Sequence, residues 1–351
     1  MTSGEPTFSV IIASYNRCAL LREALKSVFA QNYPAHQVIV VDDGSTDSTA
    51  EMVKSEFPEV LLIVQSNLGT ANARNRGVVD ATGSYLCFLD HDDMWHQDKL
   101  SLVRDYIKST GCPALNHHAW YFSDDSSAVN PFGLGIDFQG FSFEDCQNAV
   151  SQPDFIARSD MSYLDIFGRS YELLLERNRG HLSSTVIRKD IAITAGLFPP
   201  SSAEDWHFFR NVARITEWYT IPKRLTFTRI HPLQTTRQVK PEGLLGAYVA
   251  AWYDRPVSVR SSQDNPHPVT QLVKYRYSYR EMLQRMFWQA IQSKRFQTAS
   301  LVAKFGTLLL PRYRDRLFVK LPGRITRLLN QGTSRHPSRA QASQPPSLPL
   351  A

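Results

Sequence analysis

Short apolar runs alternate with amphipathic segments along the first hundred residues. The run from Phe8 to Ala13 reads as a buried strand, and residues 17–31 then carry apolar side chains at the helical period. The alternation continues with a strand at 37–41, a helix at 46–57, a strand at 60–65, a helix at 72–81 and a strand at 85–89. The pattern therefore predicts an α/β fold with a mostly parallel sheet flanked by helices.

The pattern weakens between residues 115 and 180, where aromatic and loop residues are mixed and the segments 130–133 and 139–141 resemble surface loops. Farther along, a strand is predicted at 182–187, a helix at 205–215 and a strand at 225–230. The residues beyond are helical and basic, and the end of the chain is rich in Ser, Pro and Gln. The resulting prediction is a main domain over 1–235, a helical basic extension over 236–330 and a disordered tail over 331–351.

Polar groups follow three of the predicted strands. Ser14-Tyr15 follow the first strand, Asp42-Asp43 the second, and the acidic segment Asp90 to Asp93 the fourth. Because ligands of parallel sheets bind outside the carboxyl ends of the strands, one crevice would collect all three groups. Clustered carboxylates suit Mg²⁺ or Mn²⁺ better than zinc. The alternative for the acidic segment is a solvated turn whose Asp caps the next helix.

Composition narrows the class of protein. The chain has 351 residues, of which 42% are hydrophobic and 21% charged, as in a globular protein. Its four cysteines lie far apart without a CxxC motif, which excludes a zinc cluster or a disulfide framework and favours a reducing cytoplasm. A signal-peptide pattern and an uninterrupted apolar run of about 18 residues are both missing, so we expect a cytoplasmic location.

Charge is distributed unevenly. Residues 1–235 carry 20 Lys and Arg against 28 Asp and Glu, a net −8, whereas residues 236–351 carry 19 against 5, a net +14. Apolar and aromatic residues are interleaved with the basic ones over 270–330, which is typical of an element that binds an anionic membrane surface. Such an element would place the protein peripherally on the inner face of the membrane. The alternative is a packed helical subdomain with solvated Lys and Arg. Because the chain shows no zinc knuckle, RNP motif or helix-turn-helix signature, we expect no nucleic acid partner.

Four segments resemble motifs of the family 2 glycosyltransferases, whose fold is GT-A. They are, in chain order, Phe8 to Arg17, Val40 to Asp47, Asn67 to Asn75 and Phe88 to Trp95. Their order and spacing match the family, closely over residues 7 to about 105 and more weakly to about 236. The resemblance implies that residues 1–235 form a GT-A catalytic domain. Its reaction would be the inverting transfer of a sugar from a nucleotide-diphosphate donor to a hydroxyl of a glycan or lipid-linked acceptor, as in cell-surface polysaccharide synthesis.

The resemblance also implies roles for donor-binding residues. Ala13, Tyr15 and Asp43 would line the nucleobase pocket, with Asp42 beside them. Asp90 and Asp92 would form the DxD motif, in which Asp92 is the direct ligand of a Mn²⁺ or Mg²⁺ that neutralises charge on the leaving diphosphate. Asp93 is expected to be structural. Between the acidic segments at 42–43 and 90–93, Arg74 or Arg76 would face a donor phosphate or, equally, lie on a helix surface.

Two later segments complete the expected site. An inverting transfer needs a base for the acceptor hydroxyl, and Ser202 to Phe209 resembles the acidic pair that supplies it in this family, which points to Asp205 with Glu204 in reserve. The alternative is a pair of first-turn carboxylates favoured by the helix dipole. His231 resembles the family's late His, which approaches the metal or diphosphate. The following residues, 232–236, depart from the family pattern, and a lone His is often structural.

Two rival functions remain open at this point. A non-catalytic nucleotide-sugar-binding or scaffold protein would keep the fold. The presence of Asp43, Asp92 and Asp205 together argues against it, because a binding protein has no need of a base such as Asp205. A nucleotidyltransferase on a similar sheet would carry a Gly-rich loop with Arg or Lys after the first strand. The segment Ser14-Tyr15-Asn16-Arg17 is not such a loop.

Overall fold

Among the described residues, eight strands form one mixed sheet in the order β3-β2-β1-β4-β7-β6-β8-β5. The computed structural model describes residues 4–122, 168–176, 178–201, 203–229, 231, 234, 251 and 283–309. The loops predicted at 130–133 and 139–141, the segment 310–330 and the predicted tail lie outside these residues.

The first half of the sheet is parallel. Its strands are β1 (Phe8–Ser14), β2 (Gln37–Asp42), β3 (Leu61–Val64) and β4 (Tyr85–Phe88), and their pairings are all parallel. The connecting helices are α1 (Cys18–Phe29), α2 (Thr49–Glu56) and α3 (Thr70–Asp80). The alternation predicted from the sequence is confirmed here, with boundaries that move by at most three residues.

The second half of the sheet mixes directions. Its elements are β5 (Met94–Trp95), α4 (Lys99–Thr110), β6 (Ala114–Phe122), α5 (Tyr171–Glu176), β7 (Thr185–Arg188), α6 (Lys189–Thr194), α7 (Glu204–Ile215) and β8 (Tyr219–Arg229). Strand β7 runs antiparallel to both β4 and β6, β5 runs antiparallel to β8, and β6 and β8 are parallel. Four of the seven strand pairings are therefore parallel, in agreement with the predicted mostly parallel sheet.

Two predicted strands need correction. The strand predicted at 182–187 begins at Thr185, because Leu182–Ser184 form a 3₁₀ turn whose Ser183 carbonyl accepts side-chain hydrogen bonds rather than ladder bonds. The strand predicted at 225–230 begins at Tyr219. Pro222 and Lys223 are exposed and break the apolar alternation, which hides the first half of that strand from a sequence pattern.

Two cores cover the faces of the sheet. Alternate residues of β1 point to opposite sides, with Ile11 and Ala13 in one core and Val10 and Ile12 in the other. The first core includes residues of α3 and α7, and the second includes residues of α1, α2 and α4. Helix α3 approaches the sheet closely, since a Cβ at Gly77 would lie 2.5 Å from Cγ2 of Ile11. This contact fixes the height of α3 above the end of β1.

The chain divides into two compact units, Met1–Pro256 and Val257–Ala351. Within the second unit, residues 283–292 and Phe296–Leu309 are helical. Leu283, Met286, Phe287 and Ala290 are buried at helical spacing, whereas Trp288 and Leu301 are exposed. The boundary predicted at 235/236 stays a prediction. In the described part of the chain, every helix is too short or too polar to cross a bilayer.

Candidate functional site

The ends of β1, β2 and β4 are hydrogen-bonded to one another at the carboxyl edge of the sheet. The backbone N–H of Asp43 donates to the Ser14 carbonyl at 2.9 Å, and the N–H of Leu89 donates to the Ile11 carbonyl at 3.1 Å. Nδ1 of His91 lies 3.2 Å from the Ala13 carbonyl oxygen. The three strand-end groups that the sequence placed in one crevice are therefore neighbours.

Asp43 organises the wall of this crevice beside β2. Its Oδ1 accepts Nε2 of Gln65 and the backbone N–H of Leu68, both at 2.8 Å, and its Oδ2 accepts the N–H of Gly69 at 2.8 Å. Gly69 has a φ of 88°, in the left-handed region that favours glycine. Asp43 is only 4% exposed. It therefore fixes the loop that leads into α3.

Two further donor-side residues lie next to this wall. Oδ1 of Asp42 accepts the backbone N–H of Ser45 at 2.9 Å, which closes the turn after β2. Tyr15, directly after β1, is 43% exposed, so its side chain is open to solvent. A partly exposed aromatic ring beside a turn rich in polar groups is suited to stacking with a planar ligand.

Arg74 connects two acidic groups that are far apart in the sequence. One guanidinium nitrogen lies 2.8 Å from Oδ1 of Asp90, after β4, and another lies 2.7 Å from Oε1 of Glu204, at the start of α7. Burial acts to lower the pKa of Arg74, but the charges of Asp90 and Glu204 raise it above its ordinary value. The fork of guanidinium donors suits this double contact, which a single ammonium group does not reproduce.

The acidic segment presents Asp92 to His231. Nε2 of His231 lies 2.9 Å from Oδ2 of Asp92. Burial acts to raise the pKa of Asp92, but its hydrogen bond with His231 and the charges of His91 and His231 hold that pKa below its ordinary value. Across the described ranges, no group of three His, Cys, Asp or Glu side chains is close enough to enclose a metal ion. The pair nevertheless offers one oxygen and one nitrogen ligand side by side.

Asp93 points into the protein. Its Oδ1 accepts the backbone N–H of Arg229 at 3.2 Å, and its Oδ2 lies 3.5 Å from Nε2 of His181. Burial, together with the charges of Asp92 and Asp90, raises the pKa of Asp93 well above its ordinary value. Asp93 therefore ties the acidic segment to the end of β8.

The contacts of Ser183 with the acidic segment and its neighbours were not predicted from the sequence. Oγ of Ser183 accepts the N–H of Asp90 at 3.0 Å, and the Ser183 carbonyl accepts Nζ of Lys99 at 2.7 Å and Nε1 of Trp95 at 2.9 Å. Lys99 is fully buried with its ammonium 3.5 Å from the centroid of the Trp95 ring. Burial lowers the pKa of Lys99 well below its ordinary value. A lysine at a helix start carries no local signal of such burial.

The expected base lies at the other side of the crevice, in the first turn of α7. Oδ1 of Asp205 accepts the backbone N–H of Trp206 at 2.7 Å, and its Oδ2 accepts Nδ2 of Asn178 at 3.0 Å. Burial and the neighbouring charge of Glu204 raise the pKa of Asp205 to about 6, against the opposing charge of Arg74. A carboxyl group with a pKa near neutrality is suited to exchange a proton with a substrate.

Helix α3 also holds the loop before α7. The side chain of Asn75 donates to the Phe198 carbonyl at 2.8 Å and accepts the Phe198 N–H at 2.9 Å. Neighbouring residues Arg74 and Asn75 thus both contact the segment that carries the acidic pair. The sequence motif marked this helix as donor-facing, and it did not indicate this second contact.

Part of the chain is similar to known proteins. Residues 9–131 match the model of Glycosyl transferase family 2. The chain is 36% identical over 116 residues to the putative teichuronic acid biosynthesis glycosyltransferase TuaG of Bacillus subtilis, covering 32% of this chain and 46% of TuaG. It is 44% identical over 100 residues to the amylovoran biosynthesis glycosyltransferase AmsB of Erwinia amylovora, covering 27% of this chain and 33% of AmsB. The chain thus spans less than half the length of either relative.

Solved structures share the fold at low sequence identity. The S. aureus TarS fragment 1–349 in complex with UDP-GlcNAc gives a TM-score of 0.55 at 17% identity, covering 89% of this chain and 83% of the other. The mannosyltransferase PcManGT of Pyrobaculum calidifontis, in complex with GDP-Man and Mn²⁺, gives 0.50 at 17% identity, covering 94% and 86%. These likenesses confirm the GT-A architecture predicted from the sequence.

Proposed function

We propose that this chain, whose residues 9–131 match the model of Glycosyl transferase family 2, transfers a sugar from a nucleotide-diphosphate donor to an acceptor hydroxyl, with inversion at the anomeric carbon. The observation that carries the proposal is the double ion pair of Arg74, which joins Asp90 on the donor side to Glu204 beside the base. The acceptor is a glycan or a lipid-linked glycan. The teichuronic acid and amylovoran pathways in the names of two relatives support a role in cell-surface polysaccharide synthesis.

The donor nucleotide lies against the ends of β1 and β2. Ala13 and Tyr15 face the nucleobase, with Asp42 and Asp43 beside them, and Arg74 lies next to the diphosphate. This arrangement is supported by the 43% exposure of Tyr15 and by the loop that Asp43 fixes. TarS was solved with UDP-GlcNAc and PcManGT with GDP-Man, so nucleotide-sugar donors are known for proteins of this architecture.

A divalent cation fits the residues at the end of β4. Asp92 and His231 would hold Mn²⁺ or Mg²⁺, with Asp90 beside them. A protein set of two close ligands suits such an ion, because it keeps several positions for water and substrate phosphates. When bound, the ion neutralises the charge that develops on the leaving diphosphate. The 2.9 Å contact between Asp92 and His231 supports this assignment.

Asp205 acts as the base. Its carboxylate takes the proton of the acceptor hydroxyl while that oxygen forms a bond to the anomeric carbon, and the bond from this carbon to the diphosphate oxygen breaks with its electron pair going to the diphosphate. The pKa of about 6 supports the role, since the group is ionised at neutral pH and still basic enough to accept a proton. Glu204 holds Arg74 and keeps a second negative charge beside the base.

A donor screen tests the proposal. Purified protein is incubated with nucleotide sugars and a glycan acceptor, and nucleotide diphosphate release is measured with Mn²⁺, with Mg²⁺ and with EDTA. We expect release that depends on the cation, is abolished in Asp92→Ala, and is lost in Asp205→Asn although donor binding remains. Donor turnover that survives both EDTA and Asp92→Ala would remove the metal role. Unchanged transfer by Asp205→Asn would remove Asp205 from its role as the base. Wild-type protein that binds a nucleotide sugar but turns over no donor would favour the binding-protein alternative.

A further inference from the structure

Asn178 contacts the proposed base from a segment that precedes α7 by more than twenty residues. Its Nδ2 donates to Oδ2 of Asp205 at 3.0 Å. The backbone N–H of Trp206 donates to Oδ1 of the same carboxyl group at 2.7 Å. Each oxygen of Asp205 therefore has its own donor, and the carboxyl group cannot rotate about its terminal bond without losing both hydrogen bonds.

The orientation of the Asn178 amide is fixed by a third hydrogen bond. Its Oδ1 accepts the backbone N–H of Gly180 at 3.0 Å. Since a backbone N–H only donates, the oxygen of the amide must face Gly180 and the NH₂ group must face Asp205. The amide is thus set to donate to the base rather than to accept from it.

The segment that carries Asn178 is packed against the helix that carries the base. A Cβ at Gly180 would lie only 2.2 Å from the ring of Phe209, which is a buried residue of α7. From the same side, the Leu174 carbonyl of α5 accepts Nε1 of Trp206. The packing of Gly180 against Phe209 and the hydrogen bond between Trp206 and Leu174 therefore hold Asn178 and Asp205 next to each other.

We propose that Asn178 is a positioning residue of the transfer reaction, which holds the Asp205 carboxylate in one orientation and in its ionised, proton-accepting form. The proposal rests on the function assigned above to Asp205. The physical reason is that an N–H donor stabilises a carboxylate more than a neutral carboxyl group. Burial and the charge of Glu204 both raise the pKa of Asp205, and the Asn178 hydrogen bond opposes them.

Two substitutions of Asn178 test the proposal in the full-length protein. Asn178→Ala removes the donor, and Asn178→Asp keeps the shape of the side chain while placing a second carboxylate beside the base. Asn75→Ala is the matched control, because it removes another asparagine that fixes a loop next to α7 but that binds the Phe198 backbone instead of Asp205.

Two measurements are made on each variant. The first is the pH dependence of kcat for sugar transfer, with KM for the donor. The second is a titration of ¹³C-labelled aspartate carboxyl groups by NMR, in which the Asp205 signal is identified by its loss in Asp205→Asn. The second measurement does not depend on activity.

Asn178→Ala is expected to move the acidic limb of kcat and the Asp205 titration upward by about one pH unit, because a hydrogen bond to a charged group is comparable to one pKa unit. Asn178→Asp should move both at least as far. Asn75→Ala should lower kcat at every pH without moving the acidic limb of kcat or the titration of Asp205. An Asp205 signal that titrates in both Asn178 variants as in the wild type overturns the proposal, and the proposed function then stands if Asp205→Asn is inactive. Full activity of Asp205→Asn removes instead the proposed base.

Discussion

At the scale of single residues, the two carboxylates at the start of α7 have different surroundings. Glu204 is paired with Arg74, whereas Asp205 is bound by two uncharged donors and has a raised pKa. The negative charge of Glu204 next to Asp205 is one cause of that raised value. Adjacent carboxyl groups in unlike surroundings are a common way to separate an ion-pairing role from a proton-transfer role.

The first prediction concerns pH. Because the base must be ionised, the transfer rate should rise with pH through about 6, the pKa of Asp205, and level off above it. Glu204→Gln removes the neighbouring charge, so the pKa of Asp205 should fall and the acidic limb should move to lower pH. The measurement is kcat from pH 4.5 to 8.5, with the exposed Glu59→Gln as control. An acidic limb of kcat that stays at the same pH in Glu204→Gln would contradict the effect of the Glu204 charge on the pKa of Asp205.

The second prediction concerns Arg74. A lysine at this position places one ammonium where the guanidinium fork contacts Asp90 and Glu204 together. Losing one hydrogen bond between charged groups should lower kcat/KM about tenfold, since such a bond contributes roughly 1.4 kcal/mol or more. Arg22→Lys, which alters the exposed ion pair with Glu56, makes the same chemical change away from the crevice. Equal effects of the two substitutions would show that the bridge is not specific.

At the scale of elements, α7 is positioned by close packing as well as by hydrogen bonds. The ring of Phe209 lies against Gly180, and the indole of Trp206 is hydrogen-bonded to α5. Helix α3 adds the Asn75 clamp on Phe198 and the Arg74 bridge. The base is thus presented by one helix whose neighbours contact it on several sides.

The third prediction tests this packing. Gly180→Ala would place a methyl group 2.2 Å from Cε2 of Phe209, which is too close for two carbon atoms. The substitution should therefore lower the free energy of unfolding by about 1–3 kcal/mol, as overpacking does elsewhere. Phe209→Leu makes room for that methyl group. In urea unfolding, the double variant should therefore lose less free energy of unfolding than the two single variants lose in sum. Simple additivity would mean that the two residues do not press on each other.

The sequence was sufficient for the first four strands and insufficient for the wall that bears the base. Each early strand and its helix bury a periodic apolar face, which a local pattern records. Asn178 and Ser183 act through contacts with Asp205 and Asp90 that are 27 and 93 residues away, and such contacts leave no local period. Lys99 is similar, because its burial depends on the carbonyl of Ser183, 84 residues farther along.

At the scale of the whole molecule, the family match and the site have different extents. Residues 9–131 include the donor-side residues from Ala13 to Asp92, whereas Glu204, Asp205 and His231 lie beyond the match. All of them fall within the unit Met1–Pro256. The family match thus covers the residues proposed to bind the donor and ends before the residue proposed as the base.

The fourth prediction separates this unit from the basic end of the chain. We propose that the basic segment 310–330 binds an anionic membrane surface, since it carries six Lys and Arg against one Asp among apolar residues. A truncation after Leu309 should then keep donor turnover and lose sedimentation with vesicles that contain anionic lipid. Neutral vesicles are the control. Vesicle binding that persists in the truncated protein would favour helices packed as a subdomain.

The pairing of β5 with β8 has a consequence for synthesis of the chain. Trp95 emerges from the ribosome 134 residues before Arg229, so the acidic segment next to β5 lacks its neighbouring strand while that length is translated. At bacterial or eukaryotic elongation rates this interval is on the order of ten seconds. Asp93 lacks His181 until residue 181 has been made, and it lacks the Arg229 amide for the whole interval. The acidic segment therefore acquires its neighbouring strand only after Arg229 has been made, with 122 of the 351 residues still to follow.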